Sequence, residues 1–232
     1  MYLPSHFTET RPDELRRLMR EHPLGALVVQ GKHGLDADHL PFEYEAHDDG
    51  PGRLIAHVAR SNPLWREVPS GSDVLVIFRG VEGYISPNWY PGKAQTHRHV
   101  PTWNYEVVHV HGRLAIRDDE KFVRGVVARL TRSHEAAEPQ PWRMGDAPKD
   151  YLAEMVAAIV GIEIQITRMV GKSKLGQNRD PRDVDGAIAA LQARGREPLA
   201  AAMARAKGGA PAGPSAGGPV PPSDATSAAD GR

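Results

Sequence analysis

The stretch Tyr105-Glu106-Val107-Val108-His109-Val110-His111-Gly112-Arg113-Leu114-Ala115-Ile116 decides the reading of the fold. Val108, Val110, Gly112, Leu114 and Ile116 fall on one face of an extended chain, opposite Val107, His109, His111 and Arg113. A period of two marks a strand with one face in a core. After it, Asp118-Asp119-Glu120 starts a helix whose Phe122, Val123, Val126, Val127 and Leu130 form an apolar stripe, and Asp146 to Ile159 reads as a second helix. Ile162, Ile164 and Ile166 then alternate with Glu163, Gln165 and Thr167 in a last strand.

Toward the N-terminus the same alternation recurs in shorter pieces. Leu24 to Gln30 and Asp38 to Glu45 read as a hairpin around Gly31-Lys32-His33-Gly34. Leu54, Ala56 and Val58 share a strand face, and that strand ends near Arg60-Ser61-Asn62-Pro63. Val74 to Phe78 is apolar throughout, as in a strand covered on both sides, and Glu82 to Ser86 continues it. Thr10 to Glu14 supplies a cap, a proline and two acids ahead of Leu15, Leu18 and Met19, which predicts a short amphipathic helix. Six or seven short strands with one helical insertion predict a mainly β, α+β fold, a closed or nearly closed antiparallel barrel. Residues 1–171 form this domain, and 172–207 a polar loop followed by helices over Asp183–Arg194 and Glu197–Ala206. Residues 208–232 are a Gly/Pro/Ala/Ser tail too poor in apolar side chains to order itself.

Composition narrows the chemistry. The 232 residues carry 29 Lys+Arg and 29 Asp+Glu, a net charge of +0, so no global field gathers DNA or an anionic membrane. Cysteine is absent, which excludes disulfides, thiolate catalysis and iron–sulfur ligation. The N-terminus has no apolar run of signal-peptide length, which predicts a cytoplasmic protein.

Three segments can carry chemistry. At Arg60-Ser61-Asn62-Pro63, a helix N-terminus beside a guanidinium and a hydroxyl suits a phosphate; equally, Ser61 and Asn62 simply cap the helix. The long loop Pro87–Thr102 clusters Trp89, Tyr90 and two histidines, with Trp103 just beyond, and suits a flat, polar-edged ligand. Lys172-Ser173-Lys174-Leu175-Gly176-Gln177-Asn178-Arg179 suits an anion, or is a solvated connector. The pairs His97/His99 and His109/His111 lack a third ligand, since Glu106 lies on the opposite strand face from the latter, and no metal is expected.

Together, His39-Leu40-Pro41-Phe42, His57 to Trp65, Tyr84 to Tyr90, Val100 to Tyr105 and Lys174 to Arg179 resemble the recurring segments of the PaiB family, although Gly176 stands where that pattern has Ser. The resemblance implies an FMN-binding split barrel that buries the flavin between the two subunits of a homodimer. By analogy Arg60, Ser61 and Asn62 hold the FMN phosphate, with His57 in the same segment grouped among the cofactor residues. The backbone near His39 and Leu40 lines the isoalloxazine edge. Ser86, Trp103 and Asn104 shape the pocket, and Lys174, Gln177, Asn178 and Arg179 close it, from the other chain. The family association is negative transcriptional regulation; the alternative, by fold analogy, is an FMN-dependent oxidase or reductase acting on a small molecule, with haem binding a third reading. DNA contact would fall to a local basic surface of Arg168, Lys172, Lys174, Arg179, Arg182, Arg194 and Arg196.

Overall fold

A computed structural model describes residues 1–47 and 50–209 of the chain. In chain order the strands are β1 (Thr8–Glu9), β2 (Leu24–Gly31), β3 (Gly34–Pro41), β4 (Glu43–His47), β5 (Gly50–Ala59), β6 (Asp73–Ile85), β7 (Thr102–Arg117) and β8 (Ile159–Lys174). The helices are α1 (Pro12–Glu21), α2 (Leu64–Glu67), α3 (Lys93–Thr96), α4 (Glu120–Glu135), α5 (Lys149–Ala157), α6 (Pro181–Gln192) and α7 (Glu197–Gly209). One antiparallel sheet runs in the order β3-β2-β6-β7-β8-β5-β4, with β1 added on β8. Most of the tail expected over 208–232 lies outside the described residues, α7 reaching Gly209.

The sheet is a split barrel, and a single residue shows why. Its two outermost strands, β3 and β4, are consecutive in the chain and separated only by Phe42. The sheet must therefore roll until its edges approach, although no ladder joins them and the barrel is not closed. Phe42 fixes the corner: its N–H donates to the Pro23 carbonyl at 2.9 Å, and its buried ring meets Phe78 edge-on at 5.9 Å. This corrects the single strand expected over Asp38–Glu45, since the alternation continues through Phe42 while the pairing partner changes from β2 to β5. Across the split, the Asn62 amide donates to Asp38 at 2.9 Å and stitches the turn after β5 to β3.

The barrel interior is the apolar face of each strand. Leu27, Leu54, Val76, Phe78, Val110 and Ile164 are among its fully buried side chains, and Leu15, Leu18 and Met19 of α1 pack into the same cluster. Outside, α4 lays Val126 and Leu130 on Ile55, the residue that faces away from the main core. Asp119 caps α4 by accepting from the Phe122 N–H at 2.8 Å.

As expected, Glu82 onward continues the strand of Val74–Phe78, ending at Ile85 with the register shifting between Arg79 and Glu82. Two further expectations need revision. The helix expected over Asp146–Ile159 is confined to Lys149–Ala157, because Ile159 already pairs with Ala59. More consequential, β8 runs on to Lys174, where a polar loop was expected from Lys172. Lys172, Ser173 and Lys174 are held extended by pairing with Val107, Glu106 and Tyr105, against their own weak strand propensity.

β7 and β8 pair along nearly their whole length, with one irregularity where Thr167 is skipped between His111 and Gly112. A Cβ on Gly112 would come within 2.5 Å of the Gln165 carbonyl oxygen and of Ile164 Cγ2. The backbone there cannot yield as a side-chain tip could. Gly112→Ala should therefore cost about 1–3 kcal/mol of unfolding free energy, read as a lower urea midpoint at unchanged slope; an unchanged midpoint would show that the two strands slide freely.

Candidate functional site

The phosphate-type segment follows β5. Leu64 donates its N–H to Asn62 Oδ1 at 2.8 Å, so Asn62 caps the one-turn helix α2 while its amide reaches Asp38. Ser61 is exposed beside it. Arg60 is committed to the protein itself: Nε donates to the Ala157 carbonyl at 2.7 Å, Nη1 and Nη2 to Asp118 at 3.0 and 2.6 Å, and Nη2 also to the Ile159 carbonyl at 3.1 Å. Its guanidinium lowers the Asp118 carboxyl below its ordinary value by hydrogen bonding. Of five N–H donors, this leaves one for a ligand. Arg60 thus latches the end of β5 to the start of β8, and a phosphate must share or displace these contacts.

Next to this turn, β3 is an edge strand. It pairs only with β2, so alternate backbone N–H and C=O groups around His39 and Leu40 point off the sheet. His39 is exposed and Leu40 packs on the core cluster. His57 sits on β5 with its Nδ1 buried and without a hydrogen-bond partner, and burial lowers its imidazole below the ordinary value.

The second group gathers at the far end of the sheet. Tyr84 pairs with Trp103 across β6 and β7, their rings edge-to-face at 6.4 Å, and both are exposed. Ser86 accepts from the Asn88 N–H and starts a short 3-10 turn, Pro87–Trp89. Asn104 is buried, its Nδ2 donating to Met203 Sδ of α7 at 3.4 Å, so it ties β7 to the C-terminal helix. Lys174 donates to Thr102 Oγ1 at 2.5 Å and to the Trp103 carbonyl at 2.8 Å, and desolvation lowers its ammonium below the ordinary value. Gln177 braces its own loop, accepting from the Leu175 N–H and donating to the Ser173 carbonyl. Asn178 is exposed, and Arg179 lies 5.2 Å from the centre of the Tyr90 ring. Gly176 has φ +93°, a left-handed conformation in which the family's Ser would be strained.

One residue escaped the sequence reading. Asp183 of α6 is buried, accepts from the Gly92 N–H at 2.8 Å and lies 2.8 Å from His99 Nε2. It pins the aromatic loop to the C-terminal helices, which share a second core with Ile85, Tyr90 and Leu175. These helices find their core by borrowing loop residues. An acid in an Ala-rich amphipathic helix reads as surface; the only sequence signal was its place in the first turn of that helix.

Among the described residues, no three His, Asp or Glu side chains converge as a metal-holding group, and no helix is long and apolar enough to cross a membrane. Five of the seven cations expected to form a basic surface have partners within the chain, Lys174 among them. Arg168 Nη2 lies 3.1 Å from His111 Nε2, Lys172 is buried against the Tyr2 carbonyl, Arg182 pairs with Asp180, and Arg194 donates to the Ala190 carbonyl and stacks on Trp89.

Residues 1–168 match the family described as "Putative FMN-binding domain". The protease synthase and sporulation protein PAI 2 of Bacillus subtilis is 30% identical over 192 residues, covering 83% of this chain and 89% of that one. Among solved structures, the flavocytochrome Anf3 from Azotobacter vinelandii has a TM-score of 0.56 at 14% identity, covering 73% of this chain and 70% of that one. The FAD and heme binding protein from Mycobacterium smegmatis has a TM-score of 0.50 at 19% identity, covering 79% of each chain. The two structures share the fold with this chain.

The residues present suit a flavin mononucleotide. The free edge of β3 offers the alternating donors and acceptors that the flavin's pyrimidine edge requires, and Ser61 with the neighbouring turn offers polar groups to a phosphate.

Two outcomes follow from this geometry. Asp183→Ala should free the aromatic loop at a cost of about 2 kcal/mol, with faster tryptic cleavage after Lys93 or Arg98; unchanged cleavage would show that the loop is held elsewhere. Burial lowers the imidazoles of His57, His109 and His111, so the unfolded chain binds protons at higher pH than the folded one. Stability should be full above the ordinary imidazole value of 6.5 and fall as pH drops below it, with His57→Asn flattening the slope below pH 6.5 in denaturant titrations.

Proposed function

The chain belongs to the PaiB-type family of FMN-binding proteins, and from that premise we propose that it is a homodimeric flavoprotein whose bound FMN oxidises or reduces a small molecule. The observation that carries the two-copy site is a distance. Ala59, next to Arg60, pairs with Ile159, the first residue of β8, while Lys174 is its last. Sixteen residues at about 3.3 Å each give β8 a length of up to about 50 Å, with one group at each end. That separation supports a site in which a second copy supplies one of the two groups.

In this arrangement one subunit holds the flavin edge on the β3 backbone at His39 and Leu40 and the phosphate at Ser61 and Asn62, with Arg60 keeping that turn in place. The partner copy closes the pocket with exposed Trp103 and Asn178 and half-buried Arg179, while Lys174, Gln177, Ser86 and Asn104 keep those groups in position. Bound FMN supplies reversible electron transfer to or from a small molecule. The protein's own residues bind it, orient it and exclude water from its face.

Regulation by direct DNA contact is the second reading; it rests on the family resemblance, the name of the Bacillus relative mentioning protease synthase and sporulation and no DNA. The neutral balance of 29 against 29 charges and the contacts that Arg168, Lys172, Arg182 and Arg194 already make within the chain speak for the redox reading.

Purified protein should show flavin absorbance rather than a haem Soret band, and NADH or NADPH should bleach it anaerobically in stopped flow. No bleaching by either, with salt-sensitive retardation of DNA, would reverse the choice. For the two-copy site, Ser61→Asp and Arg179→Glu chains should each lose FMN alone and regain part of it when co-expressed. Failure of the mixture to regain any would place all contacts within one chain.

A further inference from the structure

The loop from Ser86 to Thr102 contains Lys93 and Arg98 and no acidic residue. It frames an open cleft of about 520 Å³ whose lining includes Asn88, Trp89, Tyr90, Lys93 and His97. That volume falls within the range of small-molecule sites. One wall is the half-buried ring of Trp89, with Arg194 4.9 Å from its centre; Tyr90, buried behind it, has Arg179 5.2 Å from its own. None of the acids of the packed helix pairs with Lys93. Asp183 accepts from Gly92 and lies against His99, Asp185 pairs with Lys207 at 2.5 Å, and Asp180, at the helix cap, pairs with Arg182. Lys93 donates to Asn88 Oδ1, a neutral acceptor.

We propose that this cleft binds a small planar anion, its ring against Trp89 and its carboxylate at Lys93. An aromatic wall takes the face of a conjugated ring at little entropic cost, and an ammonium without an acid partner selects the ionised form over its neutral isostere. As the substrate subsite of the flavin this rests on the proposed function; as an anion site it stands on the loop alone. The site is built from outside the barrel. Asp183, Gly92 and His99 hold the loop closed behind it, while the second core beneath Tyr90 keeps the aromatic wall from collapsing.

Calorimetric titration of the FMN-loaded full-length protein with 2-naphthoate, and with 2-naphthamide as the uncharged control, tests this directly. The carboxylate should bind about tenfold more tightly than the amide, and Lys93→Gln should abolish that difference. Trp89→Ala should weaken both ligands about tenfold with FMN content unchanged. Equal binding of the two ligands, or a preference that survives Lys93→Gln, overturns the proposal. Loss of FMN from Trp89→Ala would assign the wall to the flavin and overturn a separate site. Lys93 lies outside both cores, so its variant stays readable if Trp89→Ala loosens the loop. Should the purified protein carry no FMN at all, the flavoprotein reading fails, and the same titration on the flavin-free chain still decides the anion site.

Discussion

The pairing of β7 with β8 is the constraint on which the rest depends. These are the two longest strands, 16 residues each, and they hold one another extended through stretches whose own composition argues for a loop. Without that pairing the segment Lys172–Lys174 has no reason to continue the sheet, and the Gly176–Arg179 turn would not stand beside Trp103. Because β8 also pairs with β5 through its first half, the same strand positions both ends of the molecule. The turn after Ala59 is set by where β8 begins, and the cationic turn by where it ends.

The roll of the sheet and the polar groups of the turns solve one problem together. A sheet whose edge strands are joined by Phe42 alone cannot lie flat, yet its edges do not pair, so a free strand edge persists beside β5. A free edge invites aggregation unless it is covered or used. Here the Asn62–Asp38 hydrogen bond ties the two sides without sealing them, and the Arg60 latch steadies the turn that carries Asn62. An edge kept open can receive a flat ligand; one sealed by a ladder could not.

How much of this was legible in the sequence depended on which force set each element. Where burial decided, alternation was sufficient: Val108, Val110 and Leu114, or Ile162, Ile164 and Ile166, read directly as barrel interior. Where a partner strand decided, it was not. Lys172-Ser173-Lys174 looks like a connector because nothing in three polar residues records that Tyr105, Glu106 and Val107 lie alongside. The break at Phe42 was hidden for the converse reason, since the period of two runs through a residue at which the pairing changes sides. The site was legible as motifs, and the motifs fell into two clusters in space. The role of each side chain was not legible, because Arg60, Gln177 and Lys174 have their donors absorbed by the protein's own oxygens, and a sequence does not show which donors are already taken.

That distinction between spent and unspent polar groups also orders the functional argument. A guanidinium bound to Asp118 and two carbonyls contributes to a phosphate site chiefly by keeping its neighbours still, whereas an exposed hydroxyl or an edge-strand amide exchanges only water for ligand. The same reasoning weakens direct DNA reading. Phosphate contacts draw their affinity from cations free to replace condensed counterions, and a lysine buried on a carbonyl or an arginine paired with Asp180 must first give up a contact it already has. At Lys93 the balance runs the other way. Its partner is a neutral amide, no acid stands in its loop, and a carboxylate arriving there meets an ammonium without an acid partner.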